Sequence, residues 1–228
     1  MDDFRHKDTW TVFRIMAEFV EGFETLGPLS PAVSVFGGAR VRETDPGYEQ
    51  AEQIGYLLAT AGFGVITGGG LGAMEAANRG AQRGGGPSIG LNIKLPMEQE
   101  ENRYADTVVN FDYFFARKVM FVKYACAFIG LPGGYGTLDE MFECLTLKQT
   151  EKMDNFPVIL FGSDYWSGLV AWLSSEVQTR GLISDVDLDL FQLTDSPAEV
   201  VRLVETSWEQ RRRTRPDSRR VRVAASRG

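Results

Sequence analysis

An α/β fold, with a central and mostly parallel sheet covered by helices on both faces, is predicted for this chain of 228 residues. Three observations predict it. Apolar, β-rich runs alternate with helical patterns along the chain. The runs are short and continuous rather than strictly alternating, as in strands buried on both faces. Three glycine-rich loops each follow one of these runs, and ligands of such sheets sit outside the carboxyl ends of the strands.

Each element has its own signal. Trp10, Phe13, Met16, Ala17, Val20 and Phe23 recur at helical spacing over 8–26, and Gly27-Pro28 ends the pattern. This predicts an amphipathic helix within 1–28 whose apolar stripe packs on the core or on another subunit. "AVSVF" (32–36) reads as the first strand, followed by a helix near 47–60. "FGVIT" (63–67) is the second strand, followed by a helix near 71–83 and a "GGGP" loop at 84–87. "SIGLNI" (88–93) and "TVVNF" (107–111) are further strands, with a helix over 113–124. "CAFIGL" (126–131) precedes a helix over 137–150, and "PVILF" (157–161) precedes one over 165–179. "LFQLT" (190–194) is the last candidate strand, and a helix over 197–212 closes the domain. No internal repeat or interdomain linker interrupts 29–212, so one α/β domain is expected there, with a flexible basic tail over 213–228.

Composition excludes several classes. Apolar content is 43% and charged content 24%, near the averages for globular proteins. No apolar run approaches the roughly 20 residues of a membrane-spanning helix. The opening "MDDFRHKDTW" lacks the apolar segment of a signal peptide. Cys126 and Cys144 have no metal or redox spacing, which suits reduced thiols in the cytoplasm. The single histidine, His6, excludes a multi-histidine metal site within one chain. Net charge is −7, yet residues 211–228 hold eight arginines and one aspartate, leaving −14 on the rest. An acidic body argues against nucleic acid on a broad face, whereas the arginine tail either is solvated or meets nucleic acid or an acidic partner.

The glycine loops are "FGGAR" (36–40), "TGGGLGAME" (67–75) and "LPGGYGTLDE" (131–140). Glycine allows positive φ and close approach of a ligand to the main chain. A glycine turn that opens a helix presents free N–H groups and the positive end of the helix dipole, an anion site suited to phosphate. Gly133, Gly134, Gly136 and Thr137 have this form. Gly69 and Gly70 repeat it, and Gly37 and Gly38 line the first strand's end. The alternative is a set of tight turns with no ligand. No G-x-x-x-x-G-K-[ST] occurs, and Glu75 stands where a dinucleotide fingerprint needs its third glycine. Triphosphate hydrolysis and hydride transfer are thereby disfavoured.

Charged residues near these loops carry two readings each. Thr137 and Glu140 have capping-box spacing, which would leave Glu140 bonded to the helix start. Glu140 would otherwise be a carboxylate in the first helical turn that stabilises an oxocarbenium-like centre or activates water. Asp139 suits the helix dipole. Arg117 and Lys118 either snorkel from an apolar helix or aim at a phosphate or at Glu140. Arg40 is a further loop cation, Glu75 faces a ribose hydroxyl or solvent, and Met74 belongs to the core or to a base-contacting wall.

"PGGYGTLDE" resembles the P-G-G-x-G-T-x-x-E motif of the Lonely Guy (LOG) family, the cytokinin riboside 5′-monophosphate phosphoribohydrolases, also labelled lysine decarboxylases. "GGGLGAMEAANRGA" (68–81) is similar to the family's second glycine motif, "VSVFGGAR" to its first strand and loop, and "FPVILFGSDYWSGLVAWL" with "GLIS" to the region that follows. The similarity spans roughly 32–205. It implies a Rossmann-like three-layer sandwich, and hydrolysis of the N-glycosidic bond of AMP or N6-modified AMP to free base and ribose 5-phosphate. No metal or organic cofactor is implied, and homodimers or larger homo-oligomers are. Carried over by motif, Gly133, Gly134, Gly136 and Thr137 match the phosphate loop, and Glu140 the catalytic carboxylate. Arg117 and Lys118 match the Arg-Lys of M-H-x-R-K, with the arginine catalytic. Here the segment reads "FFARK", so Phe114 and Phe115 replace Met and His, which bears on base selectivity. The N-terminal helix resembles the longer-chain branch. The related fold also implies two alternatives: a non-catalytic nucleotide or cofactor carrier, like molybdenum-cofactor carriers, and a general purine monophosphate nucleosidase of salvage.

Overall fold

The strands fall where the apolar runs lie, and burial explains their composition. The computed structural model describes residues 3–29, 31–95, 102–153 and 156–214, with side chains from Trp10 onward. Strands β1 (Ala32–Phe36), β2 (Gly64–Thr67), β5 (Ala125–Gly130) and β6 (Val158–Phe161) are buried at every position. Their sequences show no alternation because both faces carry helices. Of the two edge strands, β4 (Thr107–Phe111) mixes buried and exposed positions, and β7 (Gln192–Thr194) has no buried one. With β3 (Ser88–Ile93) they form one sheet ordered β4-β3-β2-β1-β5-β6-β7. Every pairing in it is parallel; Ala32, for example, lies beside Gly64 on one side and Ala125 on the other.

Helices sort into two layers. α2 (Pro46–Thr60), α3 (Ala73–Arg83) and α7 (Pro197–Thr214) pack with Val33, Val35 and Val65 on one face. α1 (Asp3–Leu26), α4 (Phe114–Tyr124), α5 (Tyr135–Gln149) and α6 (Ser163–Trp172) pack with Phe36, Ile66 and Phe128 on the other. The chain leaves β1 toward β2, β3 and β4, then returns through α4 to β5 on the opposite side of β1. That reversal opens a crevice at the carboxyl ends of β1 and β5, where doubly wound sheets bind ligands.

Three expectations are corrected. The helix expected over 165–179 changes winding: its α-helical part ends at Trp172 and a π-helical segment, Leu173–Gln178, follows. The apolar stripe of α1 does not reach the core. Trp10, Phe13, Met16, Val20 and Phe23 stand outward, and Glu18, Gly22 and Leu26 form the buried side. Gly22 decides the docking face, since a Cβ there would lie 2.7 Å from Met120 Cε of α4. Periodicity could not choose between two stripes when the buried one carries a glutamate and a glycine. Of the basic tail, Arg213 and Thr214 belong to α7, and the rest lies outside the described residues.

Candidate active site

The crevice is closed by main-chain bonds between glycine loops. Gly38 N–H donates to Pro132 O at 3.0 Å, and Gly38 O accepts the Ala73 N–H at 3.0 Å. The loops after β1, β2 and β5 therefore form one rim. Several glycines in it are sterically required, Gly69 and Gly133 among them. Gly69 has φ +69°, and a Cβ there would lie 1.6 Å from Asn92 Oδ1. A Cβ on Gly133 would lie 2.2 Å from Thr137 Oγ1. Gly37 faces Ala73 and Leu131, and Gly70 faces Met74, while Gly134 and Gly136 open to free space.

α5 begins at Tyr135 with Gly134 as its capping residue and no side-chain cap. Thr137 is therefore the third residue of the helix and buried, not the cap. This overturns the capping-box reading, and with it the placement of Glu140 in the first turn. The glycine-rich start lets the helix begin three residues earlier than the Thr-x-x-Glu spacing suggests. The first N–H groups, at Tyr135, Gly136 and Thr137, have no intrahelical acceptor and point along the positive end of the helix dipole. Tyr135 and Gly136 are exposed there, with Tyr135 at 92% exposure.

Glu140, the sixth residue of α5, turns inward to face α4. Its Oε1 lies 3.9 Å from Arg117 Nη2 and its Oε2 lies 3.9 Å from Lys118 Nζ. These separations are ionic contacts too long for hydrogen bonds, so the carboxylate keeps its lone pairs free. Burial raises Glu140 to about 7, opposed by Lys118 and Arg117 and assisted by Glu143 and Asp139. Arg117 is held below its usual range by burial, which Glu140 and Asp139 oppose. It remains a cation, as arginine does. Its guanidinium stacks near Phe114 and Phe121, and its Nη1 reaches Leu91 O at 3.5 Å. The Nε of Arg117 is buried without a protein partner. Burial works to lower Lys118, but bonds to Glu143 and Asp139 carry it above its ordinary value. Lys118 is thus enclosed by Asp139, Glu140 and Glu143 and serves as counter-ion to the acidic face of α5.

Other predicted residues divide. Met74 folds back over the second loop, and a Cβ on Gly68 would lie 3.0 Å from its Sδ and 3.7 Å from Arg117 Nη1. Met74, Arg117 and the 68–70 loop therefore share one wall. Arg40 is exposed on the loop after β1, and Glu75 is half-buried with its charge bearing on Tyr48.

Two supporting groups escaped the sequence. Tyr165 of α6 donates its hydroxyl hydrogen bond to Gly133 O, fixing the loop that opens α5. Nothing in an exposed tyrosine signals that role. Asn78 of α3 is fully buried; it accepts from Thr67 Oγ1 at 2.6 Å and donates to Ser88 Oγ at 2.9 Å. Thr67 Oγ1 in turn accepts Gly69 N–H at 3.1 Å, so this network holds the second glycine loop. Here a signal existed: an asparagine on the buried, alanine-rich face of α3 must be paired.

Comparison with known proteins agrees with this geometry. A family described as "possible lysine decarboxylase" matches residues 74–204. A cytokinin riboside 5′-monophosphate phosphoribohydrolase of Mycobacterium marinum is 33% identical over 150 residues, covering 65% of this chain and 80% of the relative. The protein of that name from Mycobacterium tuberculosis is 31% identical over 156 residues, covering 68% and 83%. Among solved structures, the molybdenum cofactor binding protein from Rippkaea orientalis superposes with a TM-score of 0.55 at 25% identity, covering 77% of this chain and 96% of that one. The fold is the Rossmann-like one that these structures share. With the glycine rim, the buried Arg117–Glu140 pair and relatives matched over most of their length, the chain belongs to the possible lysine decarboxylase, or Lonely Guy, family.

Proposed function

We propose that this protein hydrolyses the N-glycosidic bond of a purine nucleoside 5′-monophosphate, AMP or N6-modified AMP, releasing free base and ribose 5-phosphate. The observation that carries the reading is Glu140, buried between Arg117 and Lys118 at 3.9 Å beside an exposed glycine-rich helix start. The N-terminal amides of α5 bind the 5′-phosphate. Binding energy from that remote group orients the ribose. As the bond to the base lengthens, C1′ gains positive charge, which the Glu140 carboxylate stabilises. Glu140 then accepts a proton from water, whose oxygen bonds to C1′ while the base departs with the bonding pair and takes up a proton. Arg117 holds the carboxylate and the sugar in register, and Met74 walls the base.

The relatives' shared name supports this substrate class. A carrier role is the second reading, since the Rippkaea orientalis structure is named for cofactor binding. The retained Glu140–Arg117 pair favours chemistry over carriage. Two accompanying readings are a homo-oligomer, supported by the exposed apolar face of α1, and a cytoplasmic site of action, supported by two buried free thiols. No helix among the described residues is long and apolar enough to cross a membrane.

The test is incubation of purified protein with AMP and with N6-isopentenyl-AMP, scoring base and ribose 5-phosphate. Glu140→Gln and Arg117→Ala are each expected to lose activity by about a hundredfold or more while melting as folded proteins. Undiminished turnover in either variant refutes the assignment. A nucleotide bound tightly but recovered intact establishes the carrier.

A further inference from the structure

The carboxylate of Glu18 lies on α1, 94 residues before the helix it serves. It is 8% exposed. It accepts the N–H of Asp112 at 2.7 Å and that of Tyr113 at 3.4 Å. Tyr113 is the capping residue of α4, which has neither a side-chain cap nor an acidic residue in its first turn. Glu18 supplies from another helix the negative charge that the start of α4 lacks. The connection continues inward, because Tyr113 O accepts the main-chain N–H of Arg117 at 3.3 Å. Glu18, Tyr113 and Arg117 thus form one hydrogen-bonded path from the N-terminal helix to the main chain of the residue whose guanidinium faces Glu140.

The second half of α1 meets α4 at its start, middle and end. Glu18 holds the start. Gly22 packs against Met120 in the middle, where a Cβ would come within 2.7 Å. At the end, Tyr124 Oη donates to Phe23 O at 3.4 Å. Burying a glutamate on a docking face is costly unless its charge has partners that need it. A leucine would pack there at no such cost, but would leave the start of α4 uncapped.

We infer that α1 is a working part of the catalytic apparatus, with Glu18 a positioning residue that sets Arg117 and Lys118 through the first turn of α4. The inference rests on the hydrolase reading for its kinetic consequence, though not for the tether itself. Residues that shift a guanidinium by a fraction of an ångström disturb the reacting geometry far more than substrate binding. Glu18 bonds to Asp112 and Tyr113 rather than to the glycine-rich start of α5, so the affinity that the phosphate brings stands apart from α1.

The experiment compares Glu18→Ala, Glu18→Gln and, as a control, Glu21→Gln, an exposed position on the same helix. Turnover of AMP or N6-isopentenyl-AMP is measured from pH 5 to 9, and amide exchange is followed over residues 112–117. Glu18→Ala is expected to lower kcat by about tenfold to a hundredfold with KM within about twofold. Glu140 is faced by Arg117 and Lys118 from α4 and by Asp139, Glu143 and Cys144 from its own helix. Loosening the two cations moves the acid limb of the rate profile to higher pH. Glutamine keeps an acceptor oxygen and should recover part of kcat, and Glu21→Gln should match the parent. Exchange over 112–117 should accelerate in the alanine variant and lie between in the glutamine variant.

Parental kcat and acid limb in Glu18→Ala overturn the inference. So does a loss of rate that the folded fraction fully accounts for, with the limb unmoved. If the alanine variant does not fold, Glu18→Gln decides: reduced kcat with a displaced limb supports the role, and parental behaviour refutes it. If the parent releases no base at all, the hydrolase reading fails, while unchanged exchange over 112–117 in the free variants still refutes the tether.

Discussion

Glu140 and Arg117 face each other at 3.9 Å from neighbouring helices, both nearly excluded from solvent. The pair is close enough for strong coulombic coupling and too far apart for a direct hydrogen bond. Burial disfavours the carboxylate's charge, its two cations only partly offset that, and neither consumes its lone pairs in a hydrogen bond.

The rate of base release should therefore rise with pH. Burial holds Glu140 near 7, well above an exposed glutamate. The ionised form is the one that steadies a cationic C1′ and accepts a proton from water. kcat is expected to climb through an inflection near pH 7 and to level above it, with Lys118 still protonated there because its carboxylate partners raise it. A rate that falls between pH 6 and 8 contradicts this assignment of Glu140.

Stability should move in the opposite sense. A carboxyl whose folded pKa exceeds its unfolded value binds its proton more tightly in the folded state. Its contribution is complete below the unfolded pKa, near 4.5, and is lost as pH rises through about 7. Glu140→Gln removes that dependence. The stability of the variant relative to the parent should grow between pH 5 and 8 by on the order of 2 kcal/mol. Urea unfolding at the two pH values measures it, and a difference that shrinks with pH opposes the buried placement.

What the sequence made legible follows from physical scale. Strands buried on both faces announce themselves by composition, and among the described residues these and the two edge strands alike lie where the apolar runs are. Glycine loops are legible because so few residues tolerate positive φ, as at Gly69. The Arg117–Glu140 pairing was one of two open options, since spacing along a helix cannot say which neighbouring helix a side chain will meet. The capping-box pattern at Thr137 misled because glycine can begin a helix without any cap. Glu18, Asn78 and Tyr165 act on partners 94, 11 and 32 residues away through side-chain hydrogen bonds. No local pattern encodes the contacts of Glu18 and Tyr165, and the buried face of α3 signals only that Asn78 is paired, not with which group.

Tyr165→Phe tests the loop rather than the chemistry. The lost bond to Gly133 O is worth about 1 kcal/mol net, which converts to roughly fivefold weaker binding of ribose 5-phosphate. Titration calorimetry with ribose 5-phosphate reads it. kcat at saturation should change less than KM, because the hydroxyl holds the phosphate loop and touches no part of the Arg117–Glu140 pair. Equal losses in kcat and KM would place Tyr165 in the reaction itself.

The outward stripe of α1 bears on assembly. Phe13, Met16 and Val20 are 60%, 54% and 53% exposed, and Phe115 and Val119 on the adjoining α4 are 50% and 41% exposed. Each such side chain is worth about 1.5–3 kcal/mol when withdrawn from water. A twofold contact presents every one of them twice. Light scattering on the full chain should therefore report a dimer or larger species at micromolar concentration. Phe13→Glu combined with Val119→Glu places like charges across that contact and should yield monomer. Neither residue belongs to a core cluster, so the melting of the folded monomer is not expected to collapse. If α1 supports α4 as Glu18 indicates, the two substitutions should separate assembly from turnover, leaving the pH profile of Glu140 in place. A parent chain that remains monomeric at tens of micromolar overturns the assembly reading and leaves the stripe as surface alone.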